Sequence, residues 1–159
     1  MKRIAIYAKK LYKSDLLILE ALLSGIQEKG WTAVLELELS QMLQSKFQYP
    51  ANLQTFETHQ DLKQGYDLLI SLGGDGTFLK SVSFIRDSGV PILGINTGRL
   101  GFLANINPEK MEEMFAMVQE KRYTYQKRSM LRIHTEDDLF GEDNFALNEV
   151  TFHKKDTAS

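Results

Sequence analysis

The chain has 159 residues, a net charge of −2 and no cysteine. That length holds one ordinary domain, or one domain and part of another. The charge gives no general pull toward nucleic acid or an anionic membrane, and the lack of thiols excludes disulfides, a thiolate nucleophile and cysteine-ligated zinc. Three histidines, His59, His134 and His153, share no ligand spacing. The opening "MKRIAIYAKK" has too short an apolar run for a signal peptide, since Lys9 and Lys10 end it. No segment approaches the ~20 apolar residues of a membrane helix, so a cytoplasmic protein with no membrane partner is expected.

Residues 3–8, "RIAIYA", read as a strand. "SDLLILEALLSGIQEKG" reads as a helix, with Ser14 as its cap, Asp15 at the positive end of the dipole and Gly30 just past its end. Its apolar stripe is Leu16, Leu19, Leu23 and Ile26, at helical spacing. "WTAVLELE" is a second strand, residues 39–48 a weaker helix, and a polar loop surrounds Pro50. "YDLLISL" is almost continuously apolar, which marks a central strand covered on both faces. A helix over about 77–87 and the strand "VPILGI" follow. Asn107-Pro108-Glu109 supplies a cap, an N1 proline and an acid to open another helix, with Met111, Met114, Phe115 and Val118 as its stripe.

Strands alternating with helices predict a Rossmann-like α/β fold, a mostly parallel sheet with helices on both faces, over residues 1–122. From Tyr123 the pattern changes. "YTYQKRSMLRIHTEDD" and "NFALNEVTFHKK" are strand-like, with a turn at "GED" (141–143) and no helix between them. Residues 123–159 therefore read as the first strands of a truncated, all-β domain. Two strands cannot bury a core of their own, and the chain stops at "HKKDTAS" without a cap or closing helix, so further chain is expected.

"ISLGGDGTFLK" (70–80) poses the functional question. A glycine-rich turn between a strand and a helix suits phosphate, because the backbone can approach closely and the helix N–H groups point outward. Its place at the carboxyl end of a central strand is where open α/β sheets bind ligands. It is not a P-loop, because no Lys-Ser/Thr pair follows its last glycine, nor a dinucleotide G-x-G-x-x-G, because its glycines fall at 73, 74 and 76. Asp75 in such a turn has two readings. It caps the helix, accepting an N–H near Thr77 or Phe78, or it accepts a proton from a hydroxyl about to attack a phosphate.

The turn "GGDGT" resembles the signature of a kinase superfamily that holds NAD kinases, diacylglycerol and sphingosine kinases and, more distantly, 6-phosphofructokinase. "GINTGRLGFLANI" (94–106) and "ALNEV" (146–150) resemble the second block and the Asn-Glu motif of NAD kinases, in order and spacing. The resemblance therefore points to the NAD kinase (ATP-NAD kinase) family, over essentially the whole chain, and implies phosphorylation of the 2′-hydroxyl of the adenosine ribose of NAD by ATP, giving NADP. It implies Asp75 as general base, a turn of Gly73, Gly74, Gly76 and Thr77, and binding of NAD by Asn148 and Glu149. A divalent metal, usually magnesium, is implied too, with NAD and ATP as small-molecule partners and a homodimer or homotetramer. Lys80 matches a position usually basic in the family, or is a solvated lysine. Phe78 flanks the adenine or packs. Asn96 and Gly98 shape a loop of the same cleft, Arg99 meets a phosphate or solvent, and Leu100, Phe102 and Leu103 pack. The family's remaining β-rich domain is missing here, so the chain alone is expected to be inactive. Two rivals stay open: another kinase of the superfamily, acting on a lipid or sugar, and a nucleotide-binding module without turnover.

Overall fold

The computed structural model describes residues 1–47, 53–99 and 101–153. They form two compact units, Met1–Tyr125 and a second that begins at Gln126. In the first, β1 (Arg3–Tyr7), β2 (Thr32–Glu36), β3 (Gln54–Phe56), β4 (Leu68–Leu72) and β5 (Ile92–Ile95) make one sheet in the order β3-β2-β1-β4-β5. Every pairing is parallel; Ile6, for example, lies between Leu35 and Ile70. The helices are α1 (Lys13–Glu28), α2 (Leu37–Phe47), α3 (Asp75–Ile85) and α4 (Met111–Gln119).

Strand alternation divides the core in two. Ile4, Ile6, Leu68, Ile70 and Leu72 pack with the stripes of α1, α2 and α4, including Leu19, Leu43 and Met114. Ala5, Tyr7, Val34 and Leu69 pack on the other face, against Phe84 and Ile85 of α3. This is the expected α/β sheet with helices on both faces. The chain moves outward from β1 through β2 to β3, then returns to β4 on the other side of β1. The direction of winding reverses between β1 and β4, and such a reversal opens a crevice at the carboxyl ends of the two strands.

Local grammar explains most boundaries. α1 ends in a Schellman motif: Gly30 has φ +67°, its N–H donates to the Gln27 carbonyl, and that of Trp31 donates to Ile26. At the other end the cap is not Ser14. The backbone N–H of Tyr12 donates to the Asp15 carboxylate at 3.0 Å, while the Ser14 hydroxyl bonds to the same side chain. The second strand is shorter than "WTAVLELE" suggests, because buried Glu36 accepts the N–H groups of Glu38 and Leu39 and starts α2 there. β3 went unforeseen; it is a three-residue edge strand whose apolar anchor is Phe56 alone. Most of the predicted loop around Pro50 lies outside the described residues. Asn107 caps a 3-10 turn, Pro108–Lys110, that leads into α4, and Met111, Met114, Phe115 and Val118 are buried.

The second unit is less regular than expected. β6 (Leu131–Arg132) and β7 (Phe145–Ala146) pair antiparallel for two residues each, and Gly141–Asp143 form a 3-10 turn. Both residues of β6 are exposed. With β6 exposed among the described residues, little burial there repays the cost of extending the ladder.

Candidate active site at the carboxyl edge of the sheet

The glycine turn follows β4, beside the crevice between β1 and β4. Gly73 has φ +146°, and a Cβ there would lie 2.6 Å from the Thr77 hydroxyl. Only glycine lets the chain leave the strand at that angle with Thr77 folded over it. Gly74 and Gly76 meet nothing within 4 Å of a notional Cβ, so the outer surface of the turn is open. α3 begins at Asp75, two residues earlier than predicted. The N–H groups of Thr77 and Phe78 both return to the Gly74 carbonyl.

Asp75 therefore does not cap its own helix, contrary to that reading. Its carboxylate reaches to the loop after β5, 27 to 29 residues on. Oδ2 accepts the N–H of Phe102 at 2.9 Å, and Oδ1 accepts those of Leu103 and Ala104 at 2.9 and 3.0 Å. These backbone donors, Ala104 and Leu103 foremost, hold the Asp75 carboxyl below the usual carboxylate range against the opposing effect of desolvation. The side chain is ionised at any working pH.

The loop that reaches Asp75 is itself built on Asn96, which is only 3% exposed. Its Nδ2 donates to the carbonyls of Arg99 and Ala104, at 2.7 and 3.0 Å, and its Oδ1 accepts the Gly98 N–H at 2.7 Å. Ile106 then bridges back onto Ile95 beside β5. Asn96 and Gly98 thus shape the loop. Packing holds less well for Phe102, which is 95% exposed; Leu103 is half-buried and Leu100 lies outside the described residues. Phe78 lies against the backbone of β5, where a Cβ on Gly94 would be 2.9 Å from its ring.

Lys80 and Arg99 are exposed, as are Asn148 and Glu149 just past β7 in the second unit. Tyr7 carries a hydroxyl pushed up to about 12 by burial and by Glu36 and Glu38 nearby. Glu36, at the end of β2, stands where many dinucleotide-binding folds present a ribose-binding acid, but both its oxygens are spent on α2. Sequence reasoning missed Gly101. A Cβ at that position would overlap Oδ1 of Asp75, with Cγ at 2.6 Å and Oδ2 at 2.8 Å. The only signal was a glycine in "GRLGFLA" with no turn to explain it.

Among the described residues no three carboxylates or imidazoles converge on a possible metal position, and no helix is long and apolar enough to cross a membrane.

The model of the ATP-NAD kinase N-terminal domain matches residues 4–123. The NAD kinase of Flavobacterium psychrophilum is 37% identical over 159 residues, 99% of this chain and 54% of that protein. The NAD kinase of Bacteroides fragilis is 48% identical over 93 residues, 58% of this chain and 32% of that one. The chain thus spans about half the length of the first of these relatives. Yeast NADH kinase, solved in complex with NADH, superposes with a TM-score of 0.70 at 23% identity, over 83% of this chain and 39% of that one; at that identity the likeness is one of fold.

Proposed function

From the premise that the chain belongs to the ATP-NAD kinase family, we propose that it carries the catalytic half of an enzyme that phosphorylates NAD. The observation that carries this reading is the Asp75 carboxylate, held at the carboxyl edge of the sheet by a distant loop rather than spent on its own helix. In the reaction the 2′-oxygen of the adenosine ribose bonds to the γ-phosphorus of ATP. The bond from that phosphorus to the β–γ bridging oxygen breaks, ADP leaves with the electron pair, and the hydroxyl proton passes to Asp75.

A carboxylate of low proton affinity suits this step. Phosphoryl transfer runs through a loose transition state, in which the attacking hydroxyl stays nearly neutral until late. Bonding to phosphorus then makes its proton strongly acidic. Constant ionisation and fixed orientation matter more than basicity. Gly73, Gly74, Gly76 and Thr77 form the turn under the phosphates, where the N–H groups of Asp75 and Gly76 at the start of α3 favour negative charge. Lys80, on the next turn of that helix, adds a cation. Asn148 and Glu149 offer an amide and a carboxylate to the base and ribose of NAD. A divalent metal that neutralises the transferring phosphates would be carried by the nucleotide itself, since among the described residues no three carboxylates or imidazoles converge to hold one. A soluble cytoplasmic homo-oligomer completes the proposal.

The test is a chimera that completes this chain with the unmatched remainder of the Flavobacterium psychrophilum relative. It should form NADP from NAD and ATP, and should not phosphorylate lipid or sugar acceptors; the reverse preference would select the rival kinase. The 159-residue chain alone should turn over little. Calorimetric binding of NAD with no turnover, even by the chimera, would make the chain a binding module.

A further inference from the structure

The loop after β5 is pinned at several points that do not involve Asp75. Ile106 bridges to Ile95, Asn96 holds the carbonyls of Arg99 and Ala104, and Gly98 is tied to the Asn96 amide. Ala104 also presses on β5, since a Cβ on Gly94 would come within 2.6 Å of its Cα. Within this frame Gly101 and Ala104 close a tight turn, with the Gly101 N–H directed to the Ala104 carbonyl at 3.4 Å. The turn lays three successive N–H groups on one carboxylate.

A carboxylate has two oxygens and about four acceptor positions. Here Oδ1 accepts two N–H groups and Oδ2 accepts one. Among the described residues one position remains, on Oδ2. We propose that Gly101 is a positioning residue: its missing side chain lets the 101–104 backbone wrap Asp75 and leave a single Oδ2 acceptor position for the substrate hydroxyl. This rests on the reading of Asp75 as the proton acceptor. Any side chain at 101 meets Asp75 before it meets anything else, because all three nearest atoms to a notional Cβ are those of the carboxylate. The loop is held by the contacts above, whereas the carboxylate turns on two side-chain torsions. The carboxylate gives way.

Arg99 on the loop and Lys80 on α3 are the nearby cations in sequence, and neither contributes to the shift of Asp75, which comes from the backbone donors opposed by desolvation.

The test is a carboxyl-detected NMR titration of the 159-residue chain. In the unsubstituted chain, Asp75 titrates below the ordinary carboxylate range, and the amide protons of Phe102, Leu103 and Ala104 follow the same midpoint. In Gly101→Ala the Asp75 midpoint moves up toward that range and the amides cease to follow it. An unchanged midpoint in a folded Gly101→Ala overturns the proposal, as does the absence of a common titration in the unsubstituted chain. A double variant covers the case in which Gly101→Ala does not fold. In an Asp75→Ala background Gly101→Ala should fold and melt close to Asp75→Ala alone, and a double variant that fails to fold while Asp75→Ala alone folds overturns the proposal. None of these readouts uses turnover. If Asp75→Asn in the chimera kept the parent rate, the reading of Asp75 as base would fall while the clamp stood.

Discussion

Asp75→Asn separates the catalytic from the structural use of the carboxylate. An asparagine can keep its oxygen toward Leu103 and Ala104, but its NH₂ group then faces the Phe102 N–H, donor against donor. One of three bonds is lost and the other two lose their charge. Hydrogen bonds to a charged group contribute about 1.5–3 kcal/mol and neutral ones about 1. The Phe102 bond lies on the exposed side of the loop, where water replaces it. The expected loss is therefore about 1–2 kcal/mol, or ~2–8 °C in melting temperature at ~2–4 °C per kcal/mol. The loss in rate is larger, since a positioned base contributes ~10²–10⁴-fold. With chemistry rate-limiting it falls on kcat while KM for NAD changes little. The assay pairs thermal melts with NADP formation by the chimera, parent against variant. The pH dependence has a definite sign. The carboxyl is held down in the folded state, so its contribution is present above the unfolded value of about 3.9 and is lost as pH falls through the lower folded value. The melting difference should hold from neutrality to mildly acidic pH and close below about pH 4. A variant that melts lower but turns over within about threefold of the parent would refute the base, because that gap is far short of the 10²-fold minimum. A melting difference that persists unchanged below the unfolded value would refute the clamp as its cause.

Two further outcomes test the scaffold. Ser71 is fully buried and its hydroxyl has no hydrogen-bond partner among the described residues; Ser71→Ala should leave the melting temperature unchanged or raise it, by up to about 1 kcal/mol of stability, and a clear fall in a thermal melt would contradict the unpartnered hydroxyl. Tyr7 ionises only at about 12, above its unfolded value of about 10, so it contributes stability below pH 10 that is lost as pH rises toward 12. Tyr7→Phe should flatten the alkaline fall in melting temperature across that interval, and an unaltered alkaline profile would contradict the shift.

Much of the first unit was legible because its signals are local. Gly30 ends α1 since a Schellman motif needs a residue of positive φ there, and the stripe of α4 reads off at helical spacing because one face meets the sheet. The apolar run of β4 implied cover on both faces, which the two cores supply. The weak edge strand β3 was not legible, because one buried phenylalanine in three residues leaves no pattern. The brief ladder of β6 and β7 was over-read for a related reason: strand-like composition states what a segment suits, while burial decides how far it pairs.

By itself, then, the sequence determined the alternation of strands and helices, the glycine turn and the presence of an acid within it, since each depends on residues a few positions apart. The tertiary structure decided what that acid touches. Asp75 finds its donors 27 to 29 residues away because β4 and β5 pair in parallel, which brings their carboxyl-end loops side by side. Asn96 becomes a staple and Gly101 a required gap only once those two loops share one volume.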